Sequence, residues 1–217
     1  MAGMFSDTLD WLDNSFDTEL PAMPMQLAAR GHDVWISSGR GRLFSDKHTT
    51  YVKDDPLTAA AFWDFSYEEV GMDDVSTFVD AIVAARPGAC SKVTVVPHST
   101  AVNSVLVAAA SMPNLREKVG SIVAVAPCLQ VSLSDFWLDT QDITSTNTLY
   151  DLLSALPSLF GPNYYENIEP FCTESPINTM ICDKYLRPNP AESDPHLKET
   201  SLKAFEHVHQ NTIQGAF

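Results

Sequence analysis

Apolar positions along the first two thirds of the chain alternate between the spacing typical of helices and the short unbroken runs typical of strands. A helical pattern in residues 19–30 stops near Gly31, and the apolar Val34–Ile36 then predicts a strand that leads into a glycine-containing turn. A second amphipathic helix is predicted to end before Pro87 and Gly88. Its apolar residues recur at i, i+3, i+4 and i+7, namely Val75, Phe78, Val79 and Ile82.

The middle of the chain places a serine between a strand pattern and a helix pattern. The β-branched run Val93–Val96 predicts a strand, the small residues of Val102–Met112 predict a helix, and Ser99 lies at the turn between them. Val119–Pro127 has the length and composition of a further buried strand. Strands and helices in this alternation predict a doubly wound α/β fold with a parallel sheet.

The turn at Ser99 is the candidate site of chemistry. A strand, a sharp turn with a serine and a helix form the setting of the G-x-S-x-G nucleophile elbow. Here Pro97 and Ala101 occupy the two glycine positions. Proline removes an N–H group and restricts the residue before it, whereas alanine adds only a methyl group. Ser99 is therefore a working nucleophile, the remnant of one, or an ordinary serine after a strand.

The sequence pattern changes after about Leu129. These residues have helical spacing, many aromatic side chains and irregular stretches, and no run typical of a buried strand. We expect a partial α/β core over residues 1–128 and a helical cap, or lid, over residues 129–217. The sequence stops within this pattern, at HVHQNTIQGAF, so we expect the cap to be incomplete.

Charge argues against two classes of partner. Thirteen basic and 28 acidic residues give a net charge of −15, which disfavours binding to nucleic acid or to an anionic membrane surface. A neutral lipid interface is compatible with this charge, because apolar contact supplies the affinity. No run of 18 apolar residues predicts a transmembrane segment, and the N-terminus lacks the features of a signal peptide. Neither the compartment nor the oligomeric state follows from these features.

The four cysteines fit no C-x-x-C spacing of a metal or redox site, and we expect neither a metal nor another cofactor. Cys90 and Cys128 are expected to be buried free thiols. Cys172 and Cys182 flank a short proline-containing loop, and they are either free or joined in a disulfide if the protein is exported.

Several stretches, in order along the chain, are similar to the conserved blocks of one family. Residues 31–48 (GHDVWISSGRGRLFSDKH) are similar to its G-Y-D-V-W-L-G-N-S-R-G-N…S-x-K-H, and residues 54–75 (DDPLTAAAFWDFSYEEVGMDDV) to its D-x-x-F-W-x-F-S-x-x-E-M-x-x-Y-D-L. Residues 93–119 are similar to Y-V-G-H-S-Q-G-T…S-x-x-P-x-x-x-x-K-I, with Ser99 in register. The remaining matches are IVAVAP at 122–127, the H-W-x-Q…F-Q segment at 207–217, and Met1–Phe5 in place of Q-H-G-L-x. The chain thus resembles the acid lipase family, the α/β-hydrolases that include gastric and lysosomal acid lipases.

This resemblance implies an α/β-hydrolase fold, here a partial parallel sheet with flanking helices and a cap insertion. It implies hydrolysis of a lipid ester, either a triglyceride or a sterol ester, by attack of Ser99 after a histidine takes its proton. The backbone N–H groups of Thr100 and Met4 would donate to the oxyanion. The partner would be a lipid ester or a lipid interface, and the location would be secreted or lysosomal.

The chain departs from the family pattern at three places. Pro97 replaces the first elbow glycine, and Ala2 replaces the histidine before Gly3, with no counterpart of the strand that precedes this loop in the family. The family's catalytic aspartate and histidine lie beyond the cap, and no segment here matches either motif. We therefore expect a chain that is truncated at both ends and inactive by itself.

Other polar residues are expected to have structural roles. We expect His98, as the neighbour of Ser99, to point away from it and not to be the base. The later histidines lie in cap-like sequence and are expected to be solvated or at the edge of a core: His196, His207 and His209. The remaining expectations are local: a loop-fixing role for His48, carboxylate pairing for Arg40, and solvation or local hydrogen bonding for Asp74 and Asp80.

Three hypotheses about function remain open from the sequence. The chain is part of a serine lipase or esterase, or it is a non-catalytic descendant that binds lipid or another partner through its cap. The third hypothesis is an esterase whose triad has been rebuilt with His207 or His209.

Overall fold

The computed structural model describes residues 1–4, 6–12, 20–86, 92–129, 158–159, 169–170, 172–182, 200–204 and 207. The chain divides into two compact units. The first contains Met1–Asp46 and Ser66–Leu129, and the second contains Lys47–Phe65 and Gln130–Phe217. Ser99 and both proposed oxyanion donors belong to the first unit.

The described elements follow one another in a helix-rich order. The helical ones are a 3₁₀ helix at Thr8–Trp11, α1 (Met23–Ala29), α2 (Ala59–Phe62), α3 (Tyr67–Glu69), a π-helical turn at Val70–Val75, α4 (Ser76–Ala85), α5 (Ala101–Ser111), α6 (Pro113–Lys118) and α7 (Pro176–Ile181). The strands are β1 (Val93–Val95), β2 (Val119–Ile122), β3 (Ser158–Leu159) and β4 (Thr200–Ser201).

A single helical segment runs from α3 through the π-helical turn to the end of α4. It begins at a capping box, in which the Ser66 hydroxyl accepts from the Glu68 N–H and the Glu69 carboxylate accepts from the Ser66 N–H. Its buried face carries Val75 and Val79, which confirms the predicted amphipathic spacing. The core that these residues form with α5 and α6 also contains Val105, Ala108 and Leu115.

The sheet of the first unit is small and parallel. β1 pairs with β2 in parallel, with a register shift between Val93 and Thr94, and an isolated parallel bridge joins His98 to Val125. The strand predicted at Val93–Val96 and the helix predicted at Val102–Met112 are confirmed to within one residue at each end. Strand β1, the turn and α5 therefore follow in the order that the sequence predicts.

Two strand predictions are wrong in extent or type. Val34–Ile36 forms no strand, because none of its backbone groups is hydrogen-bonded to a neighbouring strand among the described residues. Of the strand predicted over Val119–Pro127, only β2 is a regular strand, although the Val123 and Val125 N–H groups continue the pairing with Val95 and Pro97. The segment is not buried, since Val123 is 50% exposed. Apolar composition alone does not supply a strand with the partners that it needs for a ladder.

Gly31 ends α1 as predicted. The helix stops at Ala29, and Gly31 has φ of 88°, a left-handed conformation that side chains with a Cβ disfavour.

Three of the expected structural roles are confirmed. The Arg40 guanidinium pairs with Asp74 at 2.7 Å and with Asp73 at 2.9 Å, and the Arg40 N–H also donates to Asp74. The His48 Nδ1 accepts from two backbone N–H groups, those of Thr50 and Tyr51, and so fixes its loop. Asp80 lies on an exposed helix face, where Lys118 pairs with it at 2.7 Å.

The second unit contains a disulfide and a short antiparallel pair. Cys172 and Cys182 are joined, with 5.6 Å between their Cα atoms, and β3 pairs with β4. The Ser201 hydroxyl, at the end of β4, lies 2.7 Å from the Trp63 carbonyl oxygen and 2.6 Å from that of Phe65. Ser158 of β3 and Ser201 of β4 are buried. Most of the predicted cap, and Cys90, lie outside the described residues.

None of the helices in the described part of the chain has the length and apolarity needed to cross a bilayer.

Candidate active site

Ser99 occupies a sharp bend between β1 and α5. Its φ is 54°, a left-handed conformation that is unfavourable for a residue with a side chain. The bend is held to the next segment of the sheet, because the Ser99 N–H donates to the Val125 carbonyl at 3.0 Å. A serine kept in a strained turn between a parallel strand and a helix has the backbone of a nucleophile elbow.

The two residues that replace the elbow glycines fit their positions. Pro97 is buried, and its carbonyl accepts the Val125 N–H at 3.0 Å. Backbone pairing with the segment after β2 therefore continues at Pro97, although proline has no N–H to donate. Ala101, the first residue of α5, is also buried. The loss of both glycines has therefore not removed the bend.

Gly3 lies directly against the bend. A Cβ added to Gly3 would come within 2.7 Å of the Ser99 Cβ and 2.8 Å of the His98 carbonyl oxygen. The approach is fixed by Met1, whose carbonyl accepts the His98 N–H and whose amine donates to the Val96 carbonyl, both at 3.1 Å. Only glycine fits in this position without moving the serine.

The two N–H groups expected to serve the oxyanion lie beside the bend. The Met4 N–H donates to the Thr100 hydroxyl at 2.6 Å, and Thr100 itself is buried. The Thr100 N–H, at the start of α5, has no acceptor among the described residues. The structure therefore brings together Ser99, Thr100 and Met4, the three residues that the sequence predicts for the site.

Cys128 lies next to Ser99, although no sequence motif predicts it at the site. Cys128 is a free, half-buried thiol, and its N–H donates to the Ser99 carbonyl at 3.4 Å. Burial raises the pKa of the Cys128 thiol, and the nearby Ser99 side chain opposes this effect. No sequence signal marks this contact, because 29 residues separate the two side chains and Cys128 belongs to no motif.

Among the described histidines of the first unit, His32 and His98, neither is hydrogen-bonded to the Ser99 side chain. The His98 ring faces the Trp11 ring edge-on at 6.2 Å, and His48 is occupied with its own loop. His207 belongs to the second unit, while His196 and His209 lie outside the described residues. In the described part of the chain no group of three or more His, Cys, Asp and Glu side chains is placed to hold a metal ion.

The strain at Ser99 leads to a stability prediction. We expect Ser99→Gly to be more stable than Ser99→Ala by about 1 kcal/mol, because glycine adopts positive φ without a Cβ penalty. The preference should reverse at the exposed helical Ala110, where Ala110→Gly should lose about 1 kcal/mol. Urea unfolding of the three variants measures both differences. Equal stability of the two Ser99 variants would show that the bend is unstrained.

Comparison with known proteins relates the whole chain to lipases. No family model matches it. It is 29% identical over 237 residues to the gastric triacylglycerol lipase of Rattus norvegicus, and the aligned region covers 99% of this chain and 55% of that lipase. It is 27% identical over 155 residues to the Bos taurus gastric triacylglycerol lipase, covering 71% of the chain and 34% of the relative. The lysosomal acid lipase/cholesteryl ester hydrolase of Macaca fascicularis is 29% identical over 159 residues, with coverage of 73% and 36%.

The chain thus spans between 34% and 55% of the length of these relatives. Such lipases imply an α/β-hydrolase fold, and the parallel β1–β2 pair with helices α4, α5 and α6 is consistent with part of it. The matches to these gastric and lysosomal lipases extend over 71% to 99% of the sequence, and the chain is therefore similar to acid lipases.

Proposed function

We propose that this chain carries the nucleophile and oxyanion side of a serine hydrolase that acts on lipid esters. The observation that carries the proposal is the left-handed φ of 54° at Ser99, at the end of a parallel strand and directly before α5. Relatives named as triacylglycerol lipases and as a cholesteryl ester hydrolase support an ester of a glyceride or a sterol as the substrate class.

The proposed reaction is acyl transfer through Ser99. The Ser99 oxygen attacks the ester carbonyl carbon as its proton passes to a base, and the carbonyl oxygen becomes an oxyanion. The N–H groups of Thr100 and Met4 lie beside that oxygen and donate to it, once the Thr100 hydroxyl releases the Met4 N–H. The alcohol of the ester then leaves with a proton, and water hydrolyses the acyl-serine.

The base is the missing part of this arrangement. Among the described residues of the first unit, no imidazole is hydrogen-bonded to the Ser99 hydroxyl. We therefore propose that the chain by itself does not turn over lipid esters, and that its nucleophile reacts only when a base is provided.

We further propose that residues 1–128 form a partial α/β-hydrolase core and that residues 129–217 form a helical cap over it. The partial core is supported by the β1–β2 pair and the helices packed beside it. The cap would meet the lipid interface or the ester.

A non-catalytic lipid-binding or interaction module is the alternative function. One contact favours it, since the Met4 N–H is already bonded to the Thr100 hydroxyl. The two functions differ in whether Ser99 can form a covalent bond.

A fluorophosphonate probe with added imidazole tests the proposed function. We expect the full chain to be labelled slowly, and imidazole, acting as the base, to accelerate the labelling roughly tenfold or more. Mass spectrometry should place the adduct on Ser99. Ser99→Ala should abolish the adduct, whereas Ser111→Ala, which changes an exposed serine at the far end of α5, should not. If no adduct forms with imidazole, or if Ser99→Ala is labelled equally, Ser99 is not a nucleophile and the non-catalytic function is favoured.

A further inference from the structure

The peptide bond between Gly3 and Met4 is held by hydrogen bonds on both sides. The Arg42 Nη2 donates to the Gly3 carbonyl oxygen at 3.2 Å, and the Met4 N–H of the same peptide donates to the Thr100 Oγ1 at 2.6 Å. A trans peptide is planar, with its C=O and N–H pointing in opposite directions. Whatever fixes the Gly3 carbonyl therefore also fixes the direction of the Met4 N–H.

The Arg42 guanidinium lies near two carboxylates. Asp7 and Asp10 lie close enough to favour its charged form, although burial lowers the pKa of Arg42 to about 10 as the stronger effect. At neutral pH the guanidinium is thus still protonated and is a charged donor. A charged donor on a carbonyl forms a stronger hydrogen bond than a neutral one.

The same acidic residues tie the Gly3 loop to the segment that carries Arg42. The Asp7 carboxylate accepts the Leu43 N–H at 3.0 Å, and the Asp10 carboxylate accepts the Asp7 N–H at 2.6 Å and the Ser6 hydroxyl at 2.9 Å. The loop and its 3₁₀ helix are therefore a hydrogen-bonded unit docked on residues 42–43. Within this unit, the Arg42 side chain is hydrogen-bonded to the Gly3–Met4 peptide, which lies next to Ser99.

We infer that Arg42 is a positioning residue for the reaction at Ser99, because it sets the orientation of the peptide whose N–H is the proposed oxyanion donor. This inference rests on the proposed function. Arg42 does not touch the reacting atoms. Its guanidinium holds the Gly3 carbonyl away from Ser99, which turns the Met4 N–H toward the bend, and its charge polarises the peptide so that this N–H donates more strongly.

The test compares three variants of the full chain: Arg42→Ala, Arg42→Lys and Arg116→Ala. Arg116 is a matched control, because its guanidinium also donates to backbone carbonyls, those of Ala109 and Ala110 at 2.9 Å, but on an exposed surface. The first measurement is the ¹H–¹⁵N shift and hydrogen-exchange rate of the Met4 amide. The second is the imidazole-assisted rate at which a fluorophosphonate labels Ser99.

We expect Arg42→Ala to shift the Met4 amide signal and to accelerate its exchange about tenfold or more, because the hydrogen bond to Thr100 opens. Labelling of Ser99 should fall roughly 10²-fold, the effect of losing one oxyanion donor. Arg42→Lys, which keeps a charged donor, should retain part of the Met4 amide protection and part of the labelling rate. Millimolar methylguanidinium added to Arg42→Ala should restore part of both quantities. Arg116→Ala should leave both unchanged.

The Met4 amide separates this inference from the proposed function. If wild-type Ser99 is never labelled, the proposed function fails, but the amide still shows whether Arg42 orients the peptide. An unchanged Met4 amide in Arg42→Ala overturns the inference whether or not Ser99 reacts. Should Arg42→Ala not fold, Arg42→Lys is decisive. Faster exchange of the Met4 amide and slower labelling than in Arg116→Ala, without unfolding, would support the role of Arg42, and values equal to those of Arg116→Ala would overturn it.

Discussion

Replacing Gly71 by alanine is expected to destabilise the first unit by about 3 kcal/mol, the upper part of the range for overpacked cores. Gly71 lies in the π-helical turn at Val70–Val75, where a Cβ would overlap the Ser104 carbonyl oxygen and come within 3.1 Å of its carbonyl carbon. These are backbone atoms of α5, which cannot rotate out of the way as a flexible side chain can. The turn and α5 would have to separate along their whole contact.

Gly39→Ala is the matched control for this experiment. The nearest atom to a Cβ at Gly39 is a carboxylate oxygen of Asp74 at 3.6 Å, an ordinary contact. Both substitutions remove the same backbone freedom from the unfolded chain, so their difference reports the contact with α5 alone. Thermal unfolding should show a fall of roughly 10 °C for Gly71→Ala relative to Gly39→Ala. Equal midpoints would mean that the turn and α5 are not in close contact.

The helices around this contact could be predicted from the sequence, because their apolar faces are set by local spacing. Val75 and Val79 repeat at the helical period, and the structure buries both. The strand predicted at Val34–Ile36 is wrong for the opposite reason. Strand formation depends on a partner elsewhere in the chain, which the composition of three residues does not specify.

The candidate site was predictable in its backbone and not in its contacts. The order of strand, serine and helix places Ser99, and the resemblance to acid lipases adds Thr100 and Met4. Two residues that contact this site, Arg42 at the Gly3 carbonyl and Cys128 at the Ser99 carbonyl, come from positions whose separation from Gly3 and Ser99 gives no local pattern. Such long-range hydrogen bonds are visible only once the chain is folded.

Gly3→Ala is expected to lower imidazole-assisted labelling of Ser99 roughly 10²-fold, the loss expected when one oxyanion donor is removed. The added Cβ would overlap the Ser99 Cβ at 2.7 Å and the His98 carbonyl oxygen at 2.8 Å, so the Gly3–Met4 peptide must move away from the bend. That movement breaks the hydrogen bond between the Met4 N–H and the Thr100 hydroxyl, which is 2.6 Å long. The Met4 amide should then exchange rapidly with solvent.

The effect of Gly3→Ala should be local, because the residue lies in the loop before the 3₁₀ helix and outside the core of α4, α5 and α6. Gly39→Ala, in which an added Cβ has room, should label at the wild-type rate. Labelling is followed by intact mass at several probe concentrations, which separates slower bond formation from weaker probe binding. If Gly3→Ala keeps the wild-type rate and a protected Met4 amide, the loop does not supply the oxyanion donor, and the reaction at Ser99 must depend on the Thr100 N–H alone.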